Sequence, residues 1–261
     1  MRSILVQAGR DPAMAARLDT AMDIARANEG HISLVIDTPI DRFISVDPYG
    51  GAYVAREALD AALAEDQALA DAFAGRLAGD DVPFDIACYE TAPVEALATA
   101  ARLCDVAIVS RGGDLGGDLA VATRSPVLVL AGKTPLRLPL ACACIAWDGS
   151  DQAAAALRAS IALLQGCKEV HVLTVKAGEP NDFPATDALR YLSRHDIKAE
   201  LHDLDRGNSI EETLAAEAGR LGAQLLVMGA FGHSRVREFL FGGVTRYFLD
   251  EPTAPSLLLA H

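Results

Sequence analysis

Short apolar runs alternate along the chain with longer alanine-rich stretches, in which apolar residues recur every three or four positions. The runs predict buried β-strands, and the longer stretches predict amphipathic helices. Continuous apolar strands separated by helices are typical of a parallel sheet that is covered on both faces. The pattern therefore predicts an α/β fold.

The predicted elements fall into two similar sets. In the first half the strands are 4–6, 32–36, 84–87, 106–109 and 127–130, and the helices are 12–28, 56–78 and 93–103. In the second half the strands are 143–147, 170–175, 198–202, 225–228 and 256–259, and the helices are 151–165, 184–194, 209–221 and 242–250. We expect each half to form a doubly wound, five-stranded parallel sheet.

The two halves also share short matching segments. Residues 9–11 match 149–151, residues 105–109 match 224–228, and residues 125–131 match 254–260. Such internal duplication indicates two domains of one design in tandem. The stretch 132–139 contains a glycine, two prolines and charged residues, as is typical of a linker. The predicted domains are therefore 1–136 and 137–261.

The segment after predicted strand 225–228 is rich in small residues, namely Gly229, Gly232, Gly242, Gly243, Val244 and Thr245. Glycines let backbone N–H groups approach an anion closely, and a helix N-terminus adds unsatisfied donors and a favourable dipole. The spacing Gly-x2-Gly-x9-Gly matches neither the Walker motif nor the dinucleotide fingerprint. It predicts a phosphate site, and the alternative is that the glycines only make turns around a buried strand.

This spacing resembles the nucleotide-binding motif of the universal stress protein family, whose pattern is Gly-x2-Gly-x9-Gly-Ser/Thr. Gly243 departs from that pattern, because it stands where the family usually has Ser or Thr. The resemblance implies an adenine nucleotide-binding fold, similar to the adenine nucleotide alpha-hydrolases, and ATP or ADP as ligand with Mg²⁺ held mainly by the phosphates. Over the whole chain, the resemblance is to tandem members of this family, whose two domains pair through their last strands.

The resemblance also implies which residues meet the nucleotide. Asp148 follows the first strand of the second half and resembles an aspartate at the adenosine end of ATP; the alternative is a helix N-cap, which Ser150 supplies equally well. Val175 resembles a position whose backbone meets the adenine. The residues expected around ribose and phosphates are Met228, Gly229, Gly232, Gly242, Gly243, Val244 and Thr245, with His233 and Arg235 as charge partners of the phosphate tail.

The first half lacks these features. Ala8 stands at the position that matches Asp148, and the segment between the fourth and fifth strands is ten residues shorter than in the second half. We expect the phosphate loop and its helix to be missing there, with Asp114 and Asp118 repelling phosphate. The first half is therefore expected not to bind ATP. Its long connection 37–83 is either a lid or contact surface, or an ordinary loop packed on its own helix.

Charge and cysteine content narrow the classes of function. The formal net charge of −13 argues against nucleic acid or an anionic membrane as partner. The five cysteines include no CxxC pair, and Cys142 with Cys144 in a strand is weak evidence for a metal, so no metal site is predicted and buried thiols in a reducing compartment are expected. The N-terminus shows no signal peptide and no apolar stretch approaches membrane-spanning length, which predicts a cytoplasmic protein.

These observations favour a stress-response regulatory protein that acts by binding nucleotide and an unidentified protein partner. The predicted crevice offers one acidic group and no base held against a water, so at most slow ATP hydrolysis is expected. Two alternatives stay open: an interaction scaffold that binds no nucleotide, and an α/β enzyme that transfers adenylyl groups. Pairing of two chains into a homodimer also stays open.

Overall fold

A computed structural model describes residues 1–46, 52–176, 183–230 and 243–261. The strands of the first half are β1 (Ser3–Gln7), β2 (His31–Asp37), β3 (Ile44–Val46), β4 (Ala52–Val54), β5 (Phe84–Tyr89), β6 (Val106–Ser110) and β7 (Val127–Leu130). Its helices are α1 (Met14–Asn28), α2 (Arg56–Leu77), α3 (Pro93–Ala100) and α4 (Leu115–Ala122). Each element that the sequence predicts for this half is present.

The second half repeats this plan. Its strands are β8 (Cys142–Ala146), β9 (Glu169–Lys176), β10 (Glu200–Asp205), β11 (Leu225–Gly229) and β12 (Ser256–Ala260). Its helices are α5 (Asp151–Leu164), α6 (Ala185–Ser193), α7 (Ile210–Arg220) and α8 (Gly243–Asp250). The predicted strands and helices of this half agree with these bounds to within one or two residues, the usual uncertainty of helix and strand ends, except that β10 ends at Asp205 instead of 202.

Ten strands form one sheet in the order β10-β9-β8-β11-β12-β7-β6-β1-β2-β5. The five strands of each half pair in parallel, and the halves meet where β7 and β12 pair antiparallel, with Leu258 opposite Leu128. The predicted pairing of the two last strands is therefore confirmed. Because each of these apolar strands covers the other, neither presents an open edge to solvent.

The core lies on both faces of this sheet, because successive strand residues point to opposite sides. In β1, Ile4 and Val6 pack towards the face that α1 and α2 cover, whereas Leu5 packs towards the face that α3 and α4 cover. In the second half, α5 and α6 cover the first of these faces, and α7 and α8 cover the other. Both halves are thus doubly wound, as predicted.

The prediction that the first half lacks the helix after its fourth strand was wrong, because α4 occupies this position. Gly116 and Gly117 conceal the helix in the sequence, since glycine disfavours a helix interior by roughly 0.5–1 kcal/mol relative to alanine. A Cβ on Gly116 would lie 2.9 Å from Val129 Cγ2, so the glycine lets α4 approach β7 closely. Burial of Leu119 and Ala120 at this contact offsets the poor propensity.

The two acidic residues of this segment also differ from their prediction. Asp114 is the N-cap residue of α4 and Asp118 lies in its first turn, so neither belongs to an open loop. Asp114 Oδ1 accepts a hydrogen bond of 2.6 Å from Arg246 of α8, in the second half. Neither residue therefore lies in a shortened loop, and Asp114 forms an ion pair between the two halves.

The long connection 37–83 contains a two-stranded sheet that the sequence does not predict. Strands β3 and β4 pair antiparallel, with Ile44 opposite Val54, and α2 follows at the predicted position. Residues 47–51, between the two strands, lie outside the described residues. Among the described helices, none is both long and apolar enough to cross a membrane.

Candidate functional site

The carboxyl ends of three adjacent strands bring several predicted site residues together. Asp148 follows β8, Val175 lies near the end of β9, and Met228 and Gly229 end β11. Strand β8 lies between the other two and pairs in parallel with both. In such sheets, ligands bind beyond the carboxyl ends of the strands, where the strand order reverses, which in this half is between β8 and β11.

Asp148 is exposed and supports the turn into α5. Its Oδ1 atom accepts hydrogen bonds from Ser150 N at 3.0 Å and from Ser150 Oγ at 2.6 Å. Ser150 Oγ in turn accepts a bond of 3.1 Å from Ala153 N, so Ser150 is the helix N-cap. The carboxylate of Asp148 is thus held just beyond the carboxyl end of β8, and Ser150 rather than Asp148 caps the helix.

Met228 and Gly229 have different roles in packing. Met228 is buried in the core on the face that α7 and α8 cover. A Cβ on Gly229 would lie 2.6 Å from Ala153 N and 2.7 Å from the carbonyl carbon of Gln152. Only glycine lets the first turn of α5 pass so close to β11, and this packing reason adds to the one that the phosphate motif gives.

The remaining predicted residues lie at the head of α8 or outside the described part of the chain. Gly243 is the first residue of α8 and is exposed, and no atom of the described residues lies within 4 Å of an added Cβ. The next two residues of α8 are Val244, which is half-buried, and Thr245, which is buried. Gly232, His233, Arg235 and Gly242 fall within 231–242, outside the described residues. Helices α5 and α8 cover opposite faces of the sheet, on either side of this strand edge.

The matching strand edge of the first half holds a buried arginine that sequence reasoning missed. Arg17 of α1 is only 1% exposed. Its Nε donates to the carbonyl oxygen of Gln7 at the end of β1, over 2.8 Å, and its Nη1 donates to Ser110 Oγ at the end of β6, over 2.7 Å. Strands β1 and β6 are the pair at which the strand order reverses in this half. The guanidinium group therefore joins the ends of both strands at the point where a ligand would enter.

Asp11 completes this arrangement. Both of its carboxylate oxygens accept hydrogen bonds from Arg17, one of them at 3.0 Å. The hydrogen bond from Arg17 lowers the pKa of Asp11 below its usual range, and partial burial opposes this shift. The pair is therefore ionised at neutral pH, and the buried guanidinium charge is compensated.

The duplicated segments show how the two edges diverged. The residues of the first half that match Asp148, Leu157 and Gly229 are Ala8, Arg17 and Ser110. At these three positions the second half has a carboxylate, an apolar side chain and a glycine. The first half has instead a methyl group, the buried guanidinium group of Arg17, and a hydroxyl that accepts a hydrogen bond from it. The sequence did contain a signal for Arg17, because this basic residue interrupts the apolar pattern of α1 at a position where the matching residue of the second half is Leu157.

Comparisons with known proteins were made for sequence and for fold. The model of the universal stress protein family matches residues 143–259, which lie in the second half. A search of curated proteins finds no match. A universal stress protein from Archaeoglobus fulgidus has a similar fold, with a TM-score of 0.74 at 12% identity over 99% of this chain and 96% of that chain.

Two further solved structures are similar over most of their length. A candidate universal stress protein from Pseudomonas aeruginosa has a TM-score of 0.67 at 17% identity, covering 99% of this chain and 92% of that chain. The cytoplasmic domain of a prokaryotic cation chloride cotransporter has a TM-score of 0.51 at 13% identity, covering 99% of this chain and 94% of that chain. At these identities the similarity concerns the fold, which these proteins share across both halves.

Proposed function

We propose that this chain is a tandem universal stress protein, with a degenerate domain at 1–136 and a nucleotide-binding domain at 137–261. The second domain binds ATP or ADP, with Mg²⁺ held mainly by the phosphates, and the protein regulates a partner according to its nucleotide state. The family match at 143–259 and the glycine spacing after β11 support this proposal.

The observation that carries the proposal is the contrast between the two strand edges. In the second half, a rim carboxylate and a glycine lie at the ends of β8 and β11. In the first half, the matching edge is closed by the guanidinium group of Arg17. The two halves share one fold, but one crevice is closed and the other is lined with the residue types of the family's motif. This difference supports a single nucleotide-binding site.

The site is better suited to binding than to catalysis. Of the described residues at the ends of β8 and β11, Asp148 supplies the carboxylate, and its Oδ1 is committed to Ser150. A general base must be positioned within hydrogen-bond reach of the attacking water, whereas Asp148 is held by Ser150 at the turn into α5. Hydrolysis is therefore expected to be slow, and the bound nucleotide acts as a signal.

All five cysteines are free thiols, which suits the reducing cytoplasm.

Two measurements test the proposal. Purified protein is denatured, and the released small molecules are identified by mass spectrometry; ATP or ADP is expected. Calorimetric titration then compares wild type with Asp148→Ala, Asp148→Asn and the control Asp151→Ala, since Asp151 is an exposed carboxylate in the first turn of α5. Both changes at position 148 should weaken binding about tenfold or more, because a hydrogen bond to a charged group contributes roughly 1.5–3 kcal/mol.

The asparagine variant separates the two roles of Asp148. It keeps an oxygen that accepts from Ser150 but removes the negative charge. Wild-type affinity in Asp148→Asn would mean that the residue only shapes the turn. Failure of wild type to bind any adenine nucleotide would favour the interaction scaffold, and turnover of ATP to an adenylylated product would favour the transferase.

A further inference from the structure

A group of ionisable side chains lies near the amino ends of three strands of the second half, at the opposite end of these strands from the candidate nucleotide site. Cys142 is the first residue of β8, and it pairs in register with Glu169, the first residue of β9. His171 lies two residues along β9 and pairs with Glu200, the first residue of β10. Alternate strand residues and in-register partners share one face of a sheet, so these four side chains point the same way. Helix α7 covers this face.

A chain of hydrogen bonds runs from α7 to His171. Glu217 of α7 accepts from Arg220 at 2.7 Å, and the Arg220 hydrogen bond holds the pKa of Glu217 below its usual range. Glu217 Oε1 also lies 2.9 Å from His202 Nδ1, and His202 Nε2 lies 3.0 Å from His171 Nδ1.

This chain fixes the tautomers of both neutral rings. Because the ionised Glu217 only accepts, His202 Nδ1 carries the proton, and His202 Nε2 is left as an acceptor. His171 Nδ1 then donates to His202, so His171 Nε2 carries a lone pair. The side chain of His171 is 9% exposed, and among the described residues its Nε2 has no hydrogen-bond partner. A buried imidazole lone pair without a donor is costly, and it is the form of histidine that binds metals.

Cys142 and Glu169 place two further potential ligand atoms near His171. Glu169 Oε2 lies 3.8 Å from His171 Nε2, and the ligand atoms of Cys142, Glu169 and His171 all lie within 4.8 Å of one another. In tetrahedral zinc sites, bonds of roughly 2.0–2.3 Å separate neighbouring ligands by about 3.3–3.6 Å. The side chain of Glu169 is 66% exposed, so its rotation can bring its carboxylate into this range of His171.

We propose that Cys142, Glu169 and His171 bind one divalent transition-metal ion of the Zn²⁺ class. Thiolate, imidazole and carboxylate together suit Zn²⁺ better than Mg²⁺ or Ca²⁺, which take oxygen ligands. Three protein ligands leave the fourth position to solvent. His202 and Glu217 are positioning residues, because a ligating histidine characteristically donates its other N–H to an oriented acceptor. This site is at the amino ends of the strands and is independent of the nucleotide proposal.

A second group, made by His171, Glu200 and His202, meets the same distance condition. It would require His171 to bind through Nδ1, which lies 3.9 Å from Glu200 Oε2. That nitrogen already makes the 3.0 Å contact with His202, and the second group contains no sulfur. A thiolate signature in the bound metal therefore distinguishes the two groups.

Cobalt provides that signature. The full chain, stripped with a chelator and kept reduced, is titrated with Co²⁺ and then with Zn²⁺ against a chromogenic chelator. We expect one ion per chain and a near-ultraviolet thiolate-to-cobalt charge-transfer band. Cys142→Ser should remove the band, and His171→Gln should weaken affinity more than about a hundredfold, beyond the usual effect of losing an outer-shell partner. His202→Gln should weaken it about tenfold and keep the band.

Matched controls come from the first half. Cys88 is exposed on β5 and His31 is partly exposed on β2, so Cys88→Ser and His31→Gln should bind cobalt like wild type. Circular dichroism checks that each variant is folded, and Glu169→Gln, at an exposed position, should weaken binding without affecting the fold. Stoichiometric binding without the thiolate band in wild type would overturn the proposal, as would wild-type affinity in folded His171→Gln or Glu169→Gln. Absence of stoichiometric binding in wild type would overturn it as well.

Discussion

Gly243 is the residue at which this chain departs from the nucleotide motif, and its surroundings allow a direct test. The residue begins α8 and is exposed, and the described part of the chain leaves open space around an added Cβ. A serine hydroxyl there adds one donor to phosphate while the backbone N–H remains. We expect Gly243→Ser to tighten ATP binding about tenfold, the lower end for a bond to a charged acceptor, because the position is open to water. Isothermal titration calorimetry measures this change.

Gly219→Ser is the matched control for that substitution. Gly219 is likewise an exposed helical glycine with open space around it, but it lies in α7. Its replacement should leave the affinity for ATP unchanged. Unchanged or weaker binding by Gly243→Ser would mean that the phosphates lie away from the head of α8, or that Thr245 already supplies the hydroxyl.

The Asp11–Arg17 pair predicts a dependence of stability on pH. Because its hydrogen bond from Arg17 lowers the folded-state pKa of Asp11 below the usual value of about 3.9, the pair stabilises the fold above that pH and loses its effect as pH falls through the lowered pKa. Asp11 is almost half exposed, so the stabilisation is discounted to about 1 kcal/mol. Urea unfolding should show wild type more stable than Asp11→Asn by this amount at pH 7, with a smaller gap at pH 3, which lies below the usual pKa of aspartate.

The Arg2–Glu29 pair serves as control, since both side chains are largely exposed. Glu29→Gln should change stability less than Asp11→Asn at pH 7. A gap between wild type and Asp11→Asn that is equal at both pH values would contradict the assigned role of the Asp11 charge.

At the scale of single residues, the sequence alone could place a residue that directly follows a strand. It could not place a residue that helix packing brings to the strand ends. The positions of Asp148 and Gly229 follow from parallel strands, whose carboxyl ends share one edge. Arg17 lies on a helix, and only the packing of α1 against the sheet brings it to Gln7 and Ser110. The same holds for the bonds from Glu217 to the histidines on β9 and β10, since register and helix packing were needed to see them.

Among the elements, the seam between β7 and β12 depends on a side chain as well as on strand pairing. Arg111 follows β6, and its two terminal nitrogens donate to Ala254 O at 2.7 Å and to Pro255 O at 2.5 Å in the other half. Burial lowers its pKa, which marks the desolvation of this guanidinium group. We expect Arg111→Ala to lower the free energy of unfolding by about 2–3 kcal/mol, because two charge-assisted bonds are lost and two carbonyls are left without that donor.

Chemical denaturation of Arg111→Ala beside Arg124→Ala checks this value. Arg124 is an exposed arginine in the same half, and its removal should cost less than about 0.5 kcal/mol. Equal stability of the two variants would show that strand pairing alone holds the halves together.

The sequence predicted elements well where apolar periodicity was strong and poorly where propensity and packing disagree. The ten strands of the main sheet were predicted from their short apolar runs. The inner strands are largely buried on both faces, whereas the edge strands β5 and β10 are only partly buried. Helix α4 was missed because its glycines look like a loop, although they serve the close approach of the helix to β7. Strands β3 and β4 were missed because three-residue strands carry too short a pattern to recognise.

The whole molecule consists of two copies of one fold that keep the same sheet and differ at their edges. The antiparallel seam makes a continuous ten-stranded sheet, so each crevice opens at the carboxyl ends of its own strands. The first crevice is bridged by the buried Arg17 and its partner Asp11, and the second is bordered by small and acidic residues. Such an arrangement favours one ligand per chain, with the first half acting as a fixed support for the second.

That asymmetry predicts the stoichiometry of nucleotide binding. Calorimetric titration of wild type with ATP should give about one site per chain. Arg17→Leu, which installs the residue that matches Leu157 of the second half, should also give one site, because Ala8 still lacks a carboxylate and α4 follows β6 without the longer segment. Thermal unfolding checks that this variant is folded. Asp11 loses its partner in this variant, but it is almost half exposed, so water can solvate its charge. Two sites in wild type would contradict the closed first crevice, whereas a second site only in Arg17→Leu would show that the guanidinium group alone prevents binding there.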